Sequence, residues 1–85
     1  MNKNDQIFAQ ILLIFHQSAM QGMGKIKNPV SDKVERNLEQ AQQAIDILEM
    51  LKDKTKGNTS SDEQQLMDSL LTELRLNFVD EKAKT

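Results

Sequence analysis

Few side chains in this sequence could do chemistry, and they fall into three groups. His16 is the single histidine among 85 residues, and there is no cysteine. A histidine acts as a general base only beside a nucleophile or acid, and one ligand does not hold a metal. Its place between Leu12 and Met20, inside an apolar stretch, gives it a structural or interfacial role. Meeting its symmetry mate there would make assembly depend on pH. Asp46 and Glu49, and likewise Glu35 and Glu39, are spaced as carboxylate pairs that could share a proton or a cation. No histidine or further carboxylate joins either pair at ligand spacing. Arg75 offers a simpler use, an Asp46–Arg75 or Glu49–Arg75 ion pair that fixes the register of two helices. Lys52, Lys54, Lys56 and Asn58 surround Gly57 and could hold a phosphate or a partner's anionic surface. Each also has a local reason to be there: lysines suit a helix C-terminus, glycine caps it and asparagine turns the chain.

These groups exclude more than they support. Among them there is no nucleophile–base pair, Gly-rich phosphate loop or Cys/His cluster, so neither an enzyme nor a bound cofactor is expected. Eleven basic against thirteen acidic residues give a net charge of −2, without an overall field for nucleic acid or an anionic membrane. A role on RNA or the ribosome through the lysines of residues 25–27 and 52–56 stands as the alternative to a protein–protein module. The lysine segment lacks interleaved aromatics to stack bases, and nucleic acid is the disfavoured partner.

The elements that must position these residues are helices. Glu, Gln, Lys, Leu, Met and Ala dominate, while the sequence holds three Phe and no Tyr or Trp, so an all-α fold is predicted. The first helix is predicted over about residues 5–23, closing at Gly22 or Gly24. The second is predicted over about 32–56, with an Asp32-x-x-Glu35 capping arrangement and a stripe of Val34, Leu38, Ala41, Ile45 and Leu48. The third is predicted over about 61–80, opened by Ser60-x-x-Glu63, with Leu66, Met67, Leu70, Leu71, Leu74 and Phe78 on one face. Glu81 to Thr85 read as a frayed tail. The short connection around Gly57 makes helices two and three an antiparallel hairpin within a single domain of residues 1–85, with helix one packed across it. Met20, Met23, Met50 and Met67 serve as gap fillers.

Helix one is the unusual element. Ile7, Phe8, Ile11, Leu12, Leu13, Ile14, Phe15, Ala19 and Met20 sweep roughly 260° of its circumference, leaving a narrow stripe to Gln10, Gln17 and Gln21. Two neighbours do not cover so wide an arc, so a second chain is expected against it, most simply in a dimer. Phe8, Leu12, Leu13, Phe15, His16 and Met20 are the residues assigned to that interface. A membrane span is not expected, because the run from Ile7 to Phe15 gives about 14 Å of helix against roughly 30 Å of hydrocarbon. A cleaved signal is disfavoured by Asp5 and by the lack of a small-x-small cleavage site. A cytoplasmic setting suits a chain without cysteine.

Several stretches resemble a known family. Asn37-Leu38-Glu39, Ile45-Asp46-Ile47-Leu48-Glu49-Met50-Leu51 and Lys54-Thr55-Lys56-Gly57-Asn58 are similar to the small bacterial family called domain of unknown function 1844. So are Met23-Gly24-Lys25-Ile26-Lys27-Asn28-Pro29, the first helix and Leu74-Arg75-Leu76-Asn77-Phe78-Val79. The resemblance runs from about Ile7 to Glu81. Thr59 departs from it, since similar sequences usually carry an apolar residue there. The resemblance implies a compact bacterial protein and no assigned activity.

Overall fold

A computed structural model describes residues 2–84 and forms three helices: α1 (Lys3–Gly22), α2 (Leu38–Lys54) and α3 (Ser61–Ala83). Among the described residues no strand forms; a single isolated antiparallel bridge joins Asn28 and Lys33. Each helix starts where a polar side chain takes up a free backbone donor. Asn2 accepts from the Asp5 amide, Asn37 accepts from the Gln40 amide, and Ser60 and Glu63 close a reciprocal capping box. The turn at residues 55–60 folds α3 back along α2, and α1 packs against both, more closely against α2. Leu12, Ala19, Met23, Ala41, Ala44, Ile45, Leu48, Met67, Leu70, Leu71 and Leu74 form the core. Met20 is partly buried against it and Met50 is half-exposed; Met1 lies outside the described residues.

Helix α2 begins six residues later than the sequence pattern suggests. The Asp32–Glu35 capping arrangement does not form, because Asp32 sits at φ 56°, in the left-handed region. Asn28 takes over the local hydrogen bonding instead. Its side chain accepts from the Val30 amide at 2.8 Å, its carbonyl accepts from the Asp32 amide at 2.8 Å, and its own amide donates to the Lys33 carbonyl at 2.9 Å. Such side-chain and turn bonds compete with helix formation. Val34 therefore lies on the surface and not on the α2 stripe. At the other end α2 stops at Lys54, where the Thr55 hydroxyl donates to the Leu51 carbonyl.

The expected frayed tail is also corrected. Helix α3 continues to Ala83, and Glu81 is buried at its end; Thr85 lies outside the described residues. The Glu81 carboxylate receives Lys84 at 2.9 Å, Lys25 at 3.1 Å and Arg36 at 3.4 Å. Arg36 also donates to the Glu81 carbonyl, one of the acceptors that a helix C-terminus leaves open. The segment between α1 and α2 is thus tied to the last turn of α3. The hydrogen bond from Lys84, followed by that from Lys25, pulls the Glu81 carboxyl from 4.5 to about 2, against the upward push of burial. The same contact raises the Lys84 ammonium above its usual value.

Gly22 sets the distance between α1 and α2. A Cβ there would lie 2.7 Å from the Asn37 carbonyl oxygen and 2.8 Å from the Ala41 amide nitrogen. The Asn37 amide donates to the Gly22 carbonyl at 2.8 Å across the same approach. Ala19, Ala41 and Ala44, all buried, keep this end of the pair narrow.

Gly22→Ala forces backbone apart and should cost about 1–3 kcal/mol in denaturant unfolding. Gly57→Ala meets nothing within 4 Å but keeps a φ of 86°, and should cost only about 1–2 kcal/mol. An unaltered midpoint for Gly22→Ala would show that the close approach is not required. Because the folded carboxyl of Glu81 is depressed, its contribution is present above the unfolded value. It is lost as pH falls from about 4.5 towards about 2. Unfolding followed across that window should show this fall, and Glu81→Gln should be less stable at neutral pH with a flatter acid limb.

Candidate functional site

The residues expected to carry function are spread over the bundle, and most are already engaged. His16 Nε2 lies 3.3 Å from Glu73 Oε1, linking α1 to α3 side by side. The Arg75 guanidinium donates to Glu49 Oε1 through Nε at 3.0 Å and a terminal nitrogen at 2.6 Å, across α3 and α2. Both partners are about half exposed, so this bond orients the hairpin more than it stabilises it. Asp46 does not join that pair; it accepts from the Gln42 side chain at 2.8 Å on its own helix. Among the described residues no group of three or more His, Asp or Glu side chains is arranged to hold a metal ion.

The lysines do not form one surface. Lys25 is bound to Glu81 at the end of α3, while Lys52 pairs with Asp68 near its start. Because α2 descends from Leu38 to Lys54 between them, residues 25–27 and 52–56 lie at opposite ends of the bundle, about 25 Å apart. Lys27, Lys54 and Lys56 have no carboxylate partner among the described residues. Asn58 is held in the turn by its amide, which donates to the Thr55 carbonyl at 2.8 Å. Beside Lys52 runs an open groove of about 360 Å³ between α2 and α3. Glu49, Asp53 and Asp68 line it together with Lys52, Lys56 and Arg75, so its charges cancel. At the nearby N-terminus of α3 the Ser60–Glu63 box already occupies the Ser60 and Glu63 amides.

Helix α1 presents the larger unsatisfied surface. Of the six residues assigned to an interface, Leu12 is fully buried in the chain's own core. It is unavailable to a second chain, because α2 and α3 meet α1 along the arc marked by Leu12, Ala19 and Gly22. Phe8, Phe15 and Met20 flank that arc and are partly buried, and His16 is turned to Glu73. Only Leu13, 51% exposed, remains largely uncovered. The open apolar stripe is instead Ile7, Ile11 and Ile14, at 44%, 37% and 60% exposure. The sequence held the signal that separates the two faces: Ala19 and Gly22 are the small residues where a neighbouring backbone can approach. Gln10, Gln17 and Gln21 border the isoleucine stripe, and from Gln6 to Gly24 the only ionisable side chain is His16. Neither companion helix encloses this side, and α1 is neither wholly covered nor mostly wet.

No helix among the described residues is long and apolar enough to cross a membrane. A family model described as a domain of unknown function, DUF1844, matches residues 6–81. No curated protein and no solved structure matches the chain. The match covers all three helices and the Glu81 contact that closes them, and the chain belongs to the family known as domain of unknown function 1844.

Proposed function

We propose that this chain is a non-enzymatic, cytoplasmic helical module that associates with itself through α1 and thereby presents paired surfaces to a larger partner. The observation that supports this reading is the exposed Ile7, Ile11 and Ile14 stripe, with Leu13 on the other flank, on a helix face without charge. Single exposed apolar residues need no explanation, but several on one helix mark a contact surface. Fully burying an Ile is worth about 1.5–3 kcal/mol, so completing the three half-covered isoleucines contributes roughly 1 kcal/mol each. A symmetric pair counts each residue twice, giving about 6 kcal/mol against an association cost of about 4–15 kcal/mol. The gain and the cost are comparable, so the proposed association is weak and concentration-dependent.

The alternative, an RNA- or ribosome-associated factor, draws on Lys25, Lys27, Lys52, Lys54 and Lys56. Their separation to opposite ends and the pairing of Lys25 and Lys52 with carboxylates weigh against a single phosphate-tracking surface. A titration with single-stranded RNA at low salt should show no binding.

Light scattering over a range of micromolar concentrations should give a mass that rises from one chain towards two. Ile14→Asp places a charge in the exposed stripe and should weaken association at least about tenfold, leaving the helical circular dichroism intact. Leu12→Asp, by contrast, should unfold the chain. A one-chain mass at every concentration would sink the proposal.

A further inference from the structure

The stripe on α1 has an internal geometry that restricts how a second copy can meet it. Ile7, Ile11 and Ile14 repeat at spacings of four and three and cover roughly 10 Å along one side of the helix. Ile11 stands near the middle, with one isoleucine on each side, so reversing the helix lays apolar residues over apolar residues. Beyond the stripe lie Lys3 on the N-terminal side and Ser18 and Gln21 on the C-terminal side. The α2 flank of this surface is set by the hydrogen bond from the Gln40 side chain to the Ser18 carbonyl at 3.1 Å. Seven residues on from Gln40, Ile47 faces nearly the same way and is only partly buried, which extends the apolar surface onto α2.

We infer that a second copy packs α1 against α1 in antiparallel order, about a two-fold axis at Ile11, with Ile7 of each copy meeting Ile14 of the other. This deepens the self-association reading and rests on it. Charge decides between possible occupants and between possible orders. A face without charged residues has nothing to offer a strongly charged partner, whereas it meets a copy of itself without like-charge contact. Parallel order would place Lys3, which flanks the stripe, against Lys3. Antiparallel order moves Lys3 beside Ser18 and Gln21 of the second copy, near the negative end of that copy's helix, and opposes the two helix dipoles. Two-fold closure covers the stripe on both copies at once, where a head-to-tail contact would leave one stripe open. The same arrangement sends the two 23–37 segments to opposite ends of the pair.

Because the chain has no cysteine, single replacements report the pairing directly. A disulfide needs Cα atoms about 4.4–6.8 Å apart, a separation that only residues near the axis or directly opposed reach. Under mild oxidation Ile11→Cys should form covalent dimer more than about tenfold faster than Val30→Cys, whose exposed position sets the collisional background. Ile7→Cys and Ile14→Cys should each stay near that background alone and cross-link to one another when mixed, as read by mass spectrometry. Circular dichroism of each variant verifies that it is folded, and the mixed pair tests the geometry independently of Ile11. Dimer mass in light scattering without Ile11 cross-linking above background overturns this pairing alone. So does Ile7→Cys linking to itself as fast as Ile11→Cys. A one-chain mass at every concentration overturns both the pairing and the self-association it rests on.

Discussion

A helix in a three-membered bundle is touched along two lines, and α1 carries more apolar circumference than two lines can cover. The contact that decides which part is covered is the approach of α2 at Gly22, where the Asn37 carbonyl and the Ala41 amide lie in the space a side chain would occupy. Backbone this close fixes the rotation of α1 about its own axis. With that rotation set, Leu12, Ala19 and Met23 turn inward, Phe8 and Phe15 fill one shoulder, and Met20 and His16 take the other. Ile7, Ile11 and Ile14 are what the rotation leaves outside. The surface is thus a consequence of packing small residues against backbone, and every functional inference about α1 inherits that consequence.

A second constraint works at the opposite chemical extreme. The segment from Gly24 to Asn37 contains little that could bury itself, yet it must return the chain from α1 to α2. It is held by bonds of two kinds: the Asn28 turn within it, and the Glu81 carboxylate outside it. Lys25 and Arg36 reach Glu81 from the two ends of the segment, so a single buried carboxylate closes it like a clasp. Burial raises the cost of ionising Glu81, and Lys84 and Lys25 overcome that cost, which is why its carboxyl lies well below the usual range. An acid so heavily engaged is poorly placed to serve as a proton acceptor.

The parts legible in the sequence are those written in local pattern. The third helix announces itself in the Ser60–Glu63 box and in the spacing of Met67, Leu70, Leu71 and Leu74, all of which lie buried. The turn at Gly57 is legible for the same reason, since a positive φ of 86° asks for glycine. The start of α2 was not, because Asp32-x-x-Glu35 has the spacing of a cap, whereas the Asn28 turn and the bond from the Asn37 amide to the Gly22 carbonyl move the helix start beyond it. Glu81 was missed because its partners Lys25 and Arg36 stand more than forty residues away and become neighbours only after folding. The face of α1 was half read. Its excess of apolar residues is visible in the sequence, but choosing Leu12 over Ile11 as the open position requires knowing where α2 and α3 lie.

The composition of the open face bears on how it can be used. The three isoleucines are bordered by Gln10, Gln17 and Gln21, which keep polar side chains at the edge of the stripe. Glutamines solvate the separated chain and can still hydrogen-bond to one another across an interface, so both states keep their polar groups satisfied. Charged residues would have made the separated state more soluble, but a two-fold contact brings each residue close to copies of the same face, where repulsion is hard to avoid. From Gln6 to Gly24 the sequence holds no Asp, Glu, Lys or Arg, which agrees with the proposed self-association. The charges excluded from α1 gather on the other two helices, where Glu49–Arg75 and Lys52–Asp68 align the hairpin and leave its outer groove neutral. Helix α1 thus concentrates the exposed apolar surface, while α2 and α3 carry the ionic contacts that hold its support in register.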